Sequence, residues 1–408
     1  MYYTHLIYYD ENIDYGSENY GYVCNFKNRI KGAFFPVNNM DTLKKLVNKL
    51  SSINIKNSFT LITSGRAAEK IMPICSSLIN KAIIFCFYVD KYIPLKSKFP
   101  KIKAVLNDFS EIFNNLYSNQ SVLNDSGIIA SKFITFNDYK EKYIKLHMAL
   151  SNFFNTSYQQ MNYDSYSRNT FIEFIKTTDI GNDDYVFGLL NKVTTGTVGQ
   201  FIEAYTGENV LCYRLNRWLR NLDSNEYDKV KYFAGPFSYS LYRYAYTNKS
   251  QGVYASKTFY RKMTIKLSDF LYYKIFKGEL ICYPAFTSTS EEDITKYNFP
   301  TSTAISVNGL TPNDISVVLN IRYNCKSSSN SSPCVNVVEY SVNAGEKEFI
   351  FPPFSFFKIE RVVENSGTPG DPHIIYMTVP NKKNPLEFGL KNGKTIYYKR
   401  DENEIYYS

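Results

Sequence analysis

The spacing of apolar residues changes along this chain, and that change constrains the possible folds more than any other feature of the sequence. In the first 117 residues, short apolar runs such as Leu6–Tyr9 and Phe59–Ile62 alternate with segments like Leu43–Leu50, where apolar residues recur every three or four positions. The short runs predict buried strands, and the longer repeat predicts helices with one buried face. Strands that alternate with helices predict an α/β unit with a mostly parallel sheet.

Farther along the chain, the period of the apolar residues becomes two. Every second residue is apolar or aromatic between Ile315 and Tyr323, and the same alternation recurs from Ile375 to Val379. This period predicts strands that bury one face. A helical stripe of Leu211, Leu215, Trp218 and Leu222 lies ahead of these strands, and we expect it to be core.

The length of 408 residues leaves room for two or three domains, and 44% hydrophobic against 21% charged residues is a globular composition. We expect an α/β domain over residues 1–117 and a linker with a helical segment over 118–184. The remainder, residues 185–408, is expected to form one further domain that ends in a β extension.

The predicted first domain resembles receiver and flavodoxin-like folds. A receiver needs a phosphate-accepting aspartate at the end of its central strand, but here that strand runs Leu61-Ile-Thr-Ser64 without a carboxylate. We therefore interpret this domain as a binding or structural module.

Charge patterning narrows the classes of partner. The formal net charge is +9, but the lysines are scattered without a long basic run, so we expect a solvated basic surface and no nucleic-acid partner. No uncharged stretch approaches the ~20 residues of a membrane-spanning helix, so we expect no membrane partner.

The cysteine pattern bears on metals and on compartment. The chain has seven cysteines and three histidines, and no two cysteines form a Cys-x-x-Cys pair. This pattern argues against a metal site. Cys325 and Cys334 flank a loop in a way that would allow a disulfide. The odd number of cysteines and an N-terminus without a basic and apolar leader favour a reducing, cytoplasmic location instead.

Three short motifs follow one another in the second half of the chain: Phe259-Tyr-Arg261, Ala285-Phe-Thr-Ser-Thr-Ser290, and Glu346-Lys-Glu348 ahead of Phe349-Ile-Phe-Pro-Pro353. In this order they resemble the Arg, Ser-Thr-Ser and Glu-x-Glu signature of arginine-specific mono-ADP-ribosyltransferases of the clostridial-toxin-like class. The resemblance covers about residues 185–380. It implies an α+β fold with two packed β-sheets and flanking helices, and NAD⁺ as co-substrate without a metal. It also implies a protein substrate that is modified on arginine.

The resemblance assigns a role to each motif, and the residue types suit these roles. Arg261 is the candidate for the NAD⁺ pyrophosphate, because a guanidinium binds phosphate oxygens in a planar fork. Glu348 is the candidate that stabilises the positive charge on the ribose as nicotinamide leaves, and Ser288 is expected to brace it. Tyr260, Phe286 and Thr287 complete the predicted cofactor-binding set. Thr289 and Ser290 are expected to stiffen their strand.

Glu346 is the candidate that contacts the acceptor arginine and takes its proton. In an extended segment, residues two positions apart face the same side, so Glu346 and Glu348 are expected to share one cleft. Two alternatives stay open: an NAD⁺ glycohydrolase with water as acceptor, and a non-catalytic interaction protein with a relic NAD⁺ pocket.

Two positions depart from the family's pattern. Lys262 follows the motif arginine where the family usually has glycine, which puts NAD⁺ affinity in doubt. Asn343 stands where some members carry an aromatic residue that contacts the protein substrate. The target protein therefore cannot be carried over from the resemblance.

Overall fold

The chain forms two compact units, residues 1–127 together with 268–275, and residues 128–267 together with 276–408. The computed structural model describes residues 5–13, 18–29, 33–52, 56–117, 133–135, 139, 146–147, 150, 165–178, 184–193, 197–207, 210–221, 224–248, 250–293, 314–324, 332–342, 345, 347–380, 396–398 and 405–407.

Five parallel strands form the sheet of the first unit, in the order β2-β1-β3-β4-β5. This is the strand order of flavodoxin-like doubly wound sheets. The strands are β1 (His5–Tyr9), β2 (Phe34–Val37), β3 (Phe59–Ser64), β4 (Ile79–Phe85) and β5 (Ile102–Leu106). Apolar runs in the sequence predict strands at Leu6–Tyr9, Phe59–Ile62, Ile83–Tyr88 and Lys103–Leu106. They do not predict β2, a short edge strand whose apolar run is interrupted by Pro36. Proline is tolerated on an edge strand because its missing N–H is not needed there.

Helices cover both faces of this sheet. They are α1 (Glu18–Arg29), α2 (Met40–Ser52), α3 (Gly65–Cys75), α4 (Val89–Tyr92), α5 (Leu95–Lys98) and α6 (Phe109–Tyr117). On one face, Leu6, Tyr8 and Ile62 pack in one core with Phe26 of α1 and Ile112 of α6. The predicted repeat on α2 is buried as expected at Leu43, Val47 and Leu50.

The helices of the second unit pack around a core that is rich in aromatic side chains. They are α7 (Ser165–Lys176), α8 (Asp184–Lys192), α9 (Val198–Thr206), α10 (Val210–Asn221) and α11 (Ser224–Thr247); α12 (Leu267–Ile275) follows, with residues 268–275 in the first unit. The rings of Phe171 and Phe201 lie 5.0 Å and 5.3 Å from the ring of Phe233. Leu211, Leu215 and Trp218 of the predicted stripe belong to this core, and Leu222 lies outside the described residues. Residues from the predicted linker and helical segment pack in this core as well, together with helices from residue 184 onward: Ile134, Tyr139, Leu150, Phe171, Phe174 and Ile175.

The second unit also holds a nine-stranded sheet with the order β11-β12-β9-β7-β10-β14-β13-β8-β6. Its strands are β6 (Ile134–Thr135), β7 (Lys257–Lys266), β8 (Leu280–Tyr283), β9 (Thr287–Ser290), β10 (Asp314–Tyr323), β11 (Val335–Asn336), β12 (Glu348–Phe351), β13 (Ser355–Val363) and β14 (His373–Thr378). The period-two segments of the sequence correspond to β10 and β14.

The predicted pair of packed β-sheets with flanking helices is present, and the two sheets are parts of one hydrogen-bonded strand order. Hydrogen bonds join all nine strands, but β7 meets β9 through the single pair Tyr260 and Ser290 in the described part of the chain. The strands β12 and β13 are far apart in sheet order, yet the rings of Phe351 and Phe357 are 5.2 Å apart. The sheet therefore folds back at this weak junction, and its two parts pack on each other.

The strands β15 (Ile396–Tyr398) and β16 (Ile405–Tyr407) pair as a two-stranded antiparallel sheet in the region of the predicted β extension. Among the helices that the structure describes, none has the length and apolar composition that crossing a membrane requires. Cys334 is a buried free thiol, and Cys325 lies outside the described residues.

Candidate active site

Three neighbouring strands carry the predicted residues Arg261, Ser288 and Glu348. Arg261 lies on β7, Ser288 on β9 and Glu348 at the first position of β12. Glu348 is paired with Ser290 across the antiparallel β9 and β12, so its side chain shares a face with Ser290 and Ser288. Pro352 directly follows the last residue of β12. It ends the strand because proline has no N–H to donate to a strand ladder.

Hydrogen bonds connect the three residues. Nη1 of Arg261 donates to the backbone oxygen of Ser288 at 2.8 Å. Oγ of Ser288 donates to Oε1 of Glu348, and Oγ of Ser341 donates to Oε2 of the same carboxylate at 3.0 Å. Both oxygens of Glu348 are thus held by hydroxyl donors, which fixes the direction of the carboxylate.

The electrostatics of Glu348 reflect its burial. The residue is only 6% exposed, and this burial raises the pKa of the carboxyl above its usual range. The hydrogen bonds from Ser288 and Ser341 and the charge of Arg261 act in the opposite direction and lower that pKa. These three groups therefore stabilise the ionised form against the cost of desolvation.

Ser341 is a site residue that the sequence analysis missed. It lies in the connection between β11 and β12, which has no apolar period to mark it. The described part of this connection is anchored on helices: the Val342 N–H donates to Thr206 Oγ1 at 3.1 Å, and Tyr244 Oη donates to the Glu339 carboxylate. Tyr340 packs directly on α9, where a Cβ at Gly199 would lie 2.9 Å from its ring. These contacts position Ser341 beside Glu348.

Helices α9 and α10 supply further groups to the same site. The charges of both Arg261 and Glu348 act on the hydroxyl of Tyr205 and on the thiol of Cys212. Burial is the main cause that raises the pKa of Tyr205, and burial together with Glu348 raises the pKa of Cys212 to about 12. Both groups are therefore neutral near pH 7.

Asn216 of α10 is 8% exposed, and its Nδ2 donates to Tyr205 Oη at 2.8 Å. Its Oδ1 is buried and has no hydrogen-bond partner in the part of the chain that the structure describes. An unsatisfied buried carbonyl costs free energy, so this atom is a ready acceptor for a bound ligand.

Arg220 adds a second cation. Burial lowers the pKa of Arg220 to about 10, and the charge of Arg261 contributes in the same direction. The guanidinium groups of Arg220 and Arg261 thus repel each other within the site. This like-charge arrangement is stabilised when a dianion binds between them. Arg220 is a further site residue that the sequence motifs do not mark.

Three other predicted cofactor-binding residues have different surroundings. Phe286 is 1% exposed, and its ring lies 5.3 Å from Tyr205 and 4.8 Å from Phe237, so it is core beneath the site. Thr287 is 2% exposed and alternates with Ser288, which puts it on the other face of β9. Tyr260 precedes Arg261 on β7, so its side chain lies on the other face of the strand. The charges of Asp293, Tyr376 and Arg322 act on its hydroxyl.

The neighbours of Ser288 hold the strand in place. Thr289 Oγ1 donates to the backbone oxygen of Phe349 at 3.0 Å. Ser290 Oγ accepts from the Glu292 N–H at 3.0 Å at the end of β9. Lys262, on the β7 face opposite Arg261, donates to the Pro369 oxygen at 2.9 Å.

Glu346 lies outside the described residues. The expectation that it shares a face with Glu348 rested on an extended segment, and that premise is wrong. Lys347, between the two glutamates, has a φ of 44°, in the left-handed region, and β12 begins only at Glu348. The Lys347 ammonium pairs with the Glu292 carboxylate at 2.6 Å. The structure within its described range contains no group of three or more metal-ligating side chains.

Comparisons with known proteins give structural likenesses at low identity. No protein-family model matches the chain, and a search of curated proteins gives no match. The Vis toxin, an ADP-ribosyltransferase from Vibrio splendidus, is 19% identical with a TM-score of 0.33, over 58% of this chain and 92% of that chain. The ADP-ribosyltransferase HopU1 of Pseudomonas syringae is 18% identical with a TM-score of 0.35, over 53% and 97%.

Exoenzyme S of Pseudomonas aeruginosa, solved with carba-NAD and a human 14-3-3 protein, is 11% identical with a TM-score of 0.31, over 52% of this chain and 88% of that chain. At such TM-scores the likeness by itself supports no functional conclusion.

Proposed function

We propose that this chain is a mono-ADP-ribosyltransferase that transfers ADP-ribose from NAD⁺ to an arginine side chain of a protein and releases nicotinamide. The observation that carries the proposal is the Glu348 carboxylate, buried and held by hydroxyls of Ser288 and Ser341 beside the Arg261 guanidinium. A desolvated carboxylate of fixed direction stabilises a cation far better than a solvated one. Cleavage of the nicotinamide bond builds such a cation on the ribose.

The residues present fit NAD⁺. Arg261 and Arg220 offer two guanidinium groups to the pyrophosphate dianion, and Asn216 Oδ1 offers a buried acceptor to an N–H or O–H of the ligand. Ser288 and Ser341 direct Glu348 toward the ribose, where it accepts from the 2′-hydroxyl.

The roles in the reaction follow from these positions. The bond between the ribose and nicotinamide breaks, its electron pair leaves with nicotinamide, and Glu348 stabilises the charge that remains on the ribose. A nitrogen of the acceptor guanidine then bonds to that carbon and loses a proton. Glu346 is proposed to orient the acceptor and take this proton. That role rests on the sequence resemblance alone.

The experiment is incubation of the chain with NAD⁺ and a cell lysate, followed by mass spectrometry of modified side chains. The proposal predicts ADP-ribose on arginine in the wild-type reaction and its absence with Ser288→Ala. Glu360→Gln, which removes an exposed carboxylate of β13, is the matched control and should label as wild type does. Modification confined to other side chains would contradict the arginine assignment, and no modification with any lysate would contradict transfer.

A second candidate is NAD⁺ hydrolysis with water as acceptor. It is favoured by the left-handed backbone at Lys347, which removes the geometric reason for placing Glu346 on the same face as Glu348. Release of free ADP-ribose at the same rate with and without an arginine analogue such as agmatine would favour hydrolysis over transfer.

For the first unit we propose a receiver-like module that takes up no phosphate. Its strand order supports the fold, and β3 ends at Ser64, where a receiver carries its acceptor aspartate. Incubation with acetyl phosphate should leave residues 1–117 unlabelled, and stable labelling there would contradict the proposal.

A further inference from the structure

Two consecutive aromatic side chains of the first unit are left in water. Phe87 is 85% exposed and Tyr88 is 76% exposed, the highest values among the described large hydrophobic residues. Ile93, in the connection between β4 and β5, is 46% exposed. We call Phe87, Tyr88 and Ile93 the aromatic tip. Large apolar side chains that are exposed together in this way mark an interaction surface.

The structure explains why the aromatic pair is not buried. The apolar run Ile83–Tyr88 predicts a strand along its whole length, but β4 ends at Phe85. The Cys86 N–H still bonds to the Leu106 oxygen at 2.8 Å, after which the chain leaves the sheet. A helical segment begins directly after Tyr88. The aromatic pair therefore lies beyond the carboxyl edge of the sheet, where no neighbouring strand covers it.

The helical segment after the aromatic pair runs from Val89 to Lys98 without an extended break. Ile93 and Pro94 join α4 to α5, and both have right-handed helical dihedral angles. The Ile93 N–H bonds to the Val89 oxygen, and the Lys96 N–H bonds to the Ile93 oxygen. At 1.5 Å per residue, the segment is about 15 Å long. Lys96 follows Ile93 by three positions, so these two exposed side chains are neighbours on one face.

Helix α3 lies alongside this segment, as two contacts establish. At the start of α3, a Cβ on Gly65 would lie 2.4 Å from the Tyr92 ring. Four residues later, the Glu69 carboxylate pairs with the Lys98 ammonium at 2.9 Å. The residue after each of these contacts on α3 is an exposed cation, Arg66 and Lys70. These two cations are four positions apart, so they share one face of the helix.

Cations outnumber carboxylates on α3 and residues 87–98. The exposed cations are Arg66, Lys70, Lys91, Lys96 and Lys98. The exposed carboxylates are only Asp90 and Glu69, so five positive charges face two negative ones. Because β3, β4 and β5 are parallel, both helical connections run from the carboxyl edge of the sheet to the opposite edge. The cations therefore form a strip that leads away from the aromatic pair, which we call the basic strip.

We propose that the aromatic tip and the basic strip bind an acidic polypeptide segment of a partner protein, with apolar side chains at one end and carboxylates along the rest. The apolar side chains pack on Phe87 and Tyr88, and the carboxylates pair with the cations. An extended segment of about five residues spans ~15 Å at 3.3 Å per residue.

The shape of the surface favours a polypeptide over an anionic lipid layer. Residues that attach a protein to a lipid surface lie in the plane of that surface, with the apolar groups inserted and the cations level with the headgroups. Here the cations follow two helices away from the aromatic pair and form a line. This inference goes beyond the transferase proposal and does not depend on it.

The test uses the full chain without NAD⁺ and a fluorescein-labelled peptide in which two leucines precede alternating glutamate and serine. The peptide carries no arginine, so its binding is separate from the proposed transfer reaction. The aromatic variant is Phe87→Ser with Tyr88→Ser. Its matched control is Tyr166→Ser, which removes a 68% exposed tyrosine of the second unit.

A second variant tests the basic strip by itself. Lys91→Gln with Lys96→Gln removes two of its exposed cations. The matched control is Lys229→Gln with Lys277→Gln, which removes two exposed lysines of the second unit and changes the net charge equally. Equal thermal melting of all proteins establishes that the variants are folded.

Fluorescence anisotropy should show binding of the glutamate peptide that weakens with added salt. The charge variant should weaken binding about fivefold, as expected for two exposed ion pairs. The aromatic variant should weaken it about tenfold, because two aromatic anchors are lost. Both controls should bind as wild type does.

The proposal is overturned by no binding of the glutamate peptide, by equal binding of a lysine version, or by wild-type affinity in either double variant. It is also overturned if the tip and strip instead mediate self-association or sedimentation with phosphatidylglycerol vesicles that both double variants abolish.

Discussion

Ser341 Oγ donates a 3.0 Å hydrogen bond to Glu348 Oε2, from a connecting segment that no sequence motif marks. The same carboxylate accepts from Ser288 on its other oxygen. Ser341 therefore acts on the proposed chemistry through Glu348, as a positioning residue. Its hydrogen bond also lowers the pKa of Glu348 against the effect of burial.

The first prediction concerns Ser341→Ala. Loss of a hydrogen bond to a charged group costs about 1.5–3 kcal/mol, so nicotinamide release near pH 7 should fall by about tenfold or more. The pKa of Glu348 should rise further, so the pH at which activity is half lost on acidification should move upward. A pH–rate profile of nicotinamide release measures both effects. Ser97→Ala, an exposed serine of α5, should change neither. A reduced rate with an unshifted acid limb would contradict the positioning role.

The second prediction concerns stability and Glu348. Because burial raises the folded-state pKa above 4.5, the folded chain holds a proton that the unfolded chain has lost between pH 4.5 and that higher pKa. The free energy of unfolding therefore falls as pH rises through this window. Glu348→Gln removes the desolvated charge and should melt at a higher temperature than wild type at pH 7, with the difference vanishing near pH 4. A rise of ~2 °C corresponds to roughly 1 kcal/mol. Lower melting of Glu348→Gln at pH 7 would contradict this reasoning.

The third prediction concerns Arg220. Burial and the Arg261 charge oppose its protonated form, and a bound dianion offsets both. Arg220→Gln should therefore weaken binding of carba-NAD about tenfold while leaving the melting temperature of the ligand-free chain unchanged or higher. Calorimetric titration and thermal melting on the same samples provide the two values. Arg66→Gln, an exposed arginine of the first unit, is the control. Unchanged carba-NAD affinity in Arg220→Gln would remove Arg220 from the proposed site.

The fourth prediction concerns His147. Its ring is 3% exposed, stacks on Phe354 at 4.7 Å, and shares a 2.5 Å hydrogen bond between Nδ1 and Tyr139 Oη. Burial lowers the pKa of His147 to about 3. Below pH 6.5 the unfolded chain takes up a proton that the folded chain takes up only near pH 3, so the free energy of unfolding falls as pH falls through this window.

The measurement for His147 is urea unfolding of wild type and His147→Phe between pH 8 and pH 4. The wild-type slope below pH 6.5 should exceed that of the variant by up to about 1.4 kcal/mol per pH unit, and the two slopes should agree above pH 7.5. Equal slopes at acid pH would mean that the buried ring titrates normally.

The sequence predicted those parts of the molecule that are set by local periodicity. Alternating strands and helices gave the α/β pattern of the first unit, and the period of two gave β10 and β14. The order of the motifs indicated Arg261, Ser288 and Glu348 as candidate site residues. These three residues lie on adjacent strands of the sheet. The helical stripe at Leu211 and Leu215 was also predictable, because burial follows the helical period.

Other parts depend on contacts between residues distant in sequence and could not be predicted. Ser341 and Asn216 reach the site only because their elements pack beside β9 and β12, and single polar residues carry no period. The residue type does not indicate the left-handed φ at Lys347, because lysine rarely adopts this conformation. The strand predicted through Tyr88 failed because an apolar run indicates burial, whereas Phe87 and Tyr88 are exposed.

The measurement that tests the central claim most directly is nicotinamide release and arginine labelling on the same samples of wild type, Glu348→Gln, Glu346→Gln and the control Glu360→Gln. We predict that Glu348→Gln loses both activities, each by ~10²–10³-fold, because it removes the charge that stabilises the ribose cation. Glu346→Gln should lose labelling yet retain a substantial part of the slow release of nicotinamide, and Glu360→Gln should match wild type. Arginine labelling at the wild-type level in Glu346→Gln would contradict the acceptor assignment, and nicotinamide release at the wild-type rate in Glu348→Gln would contradict the proposed function itself.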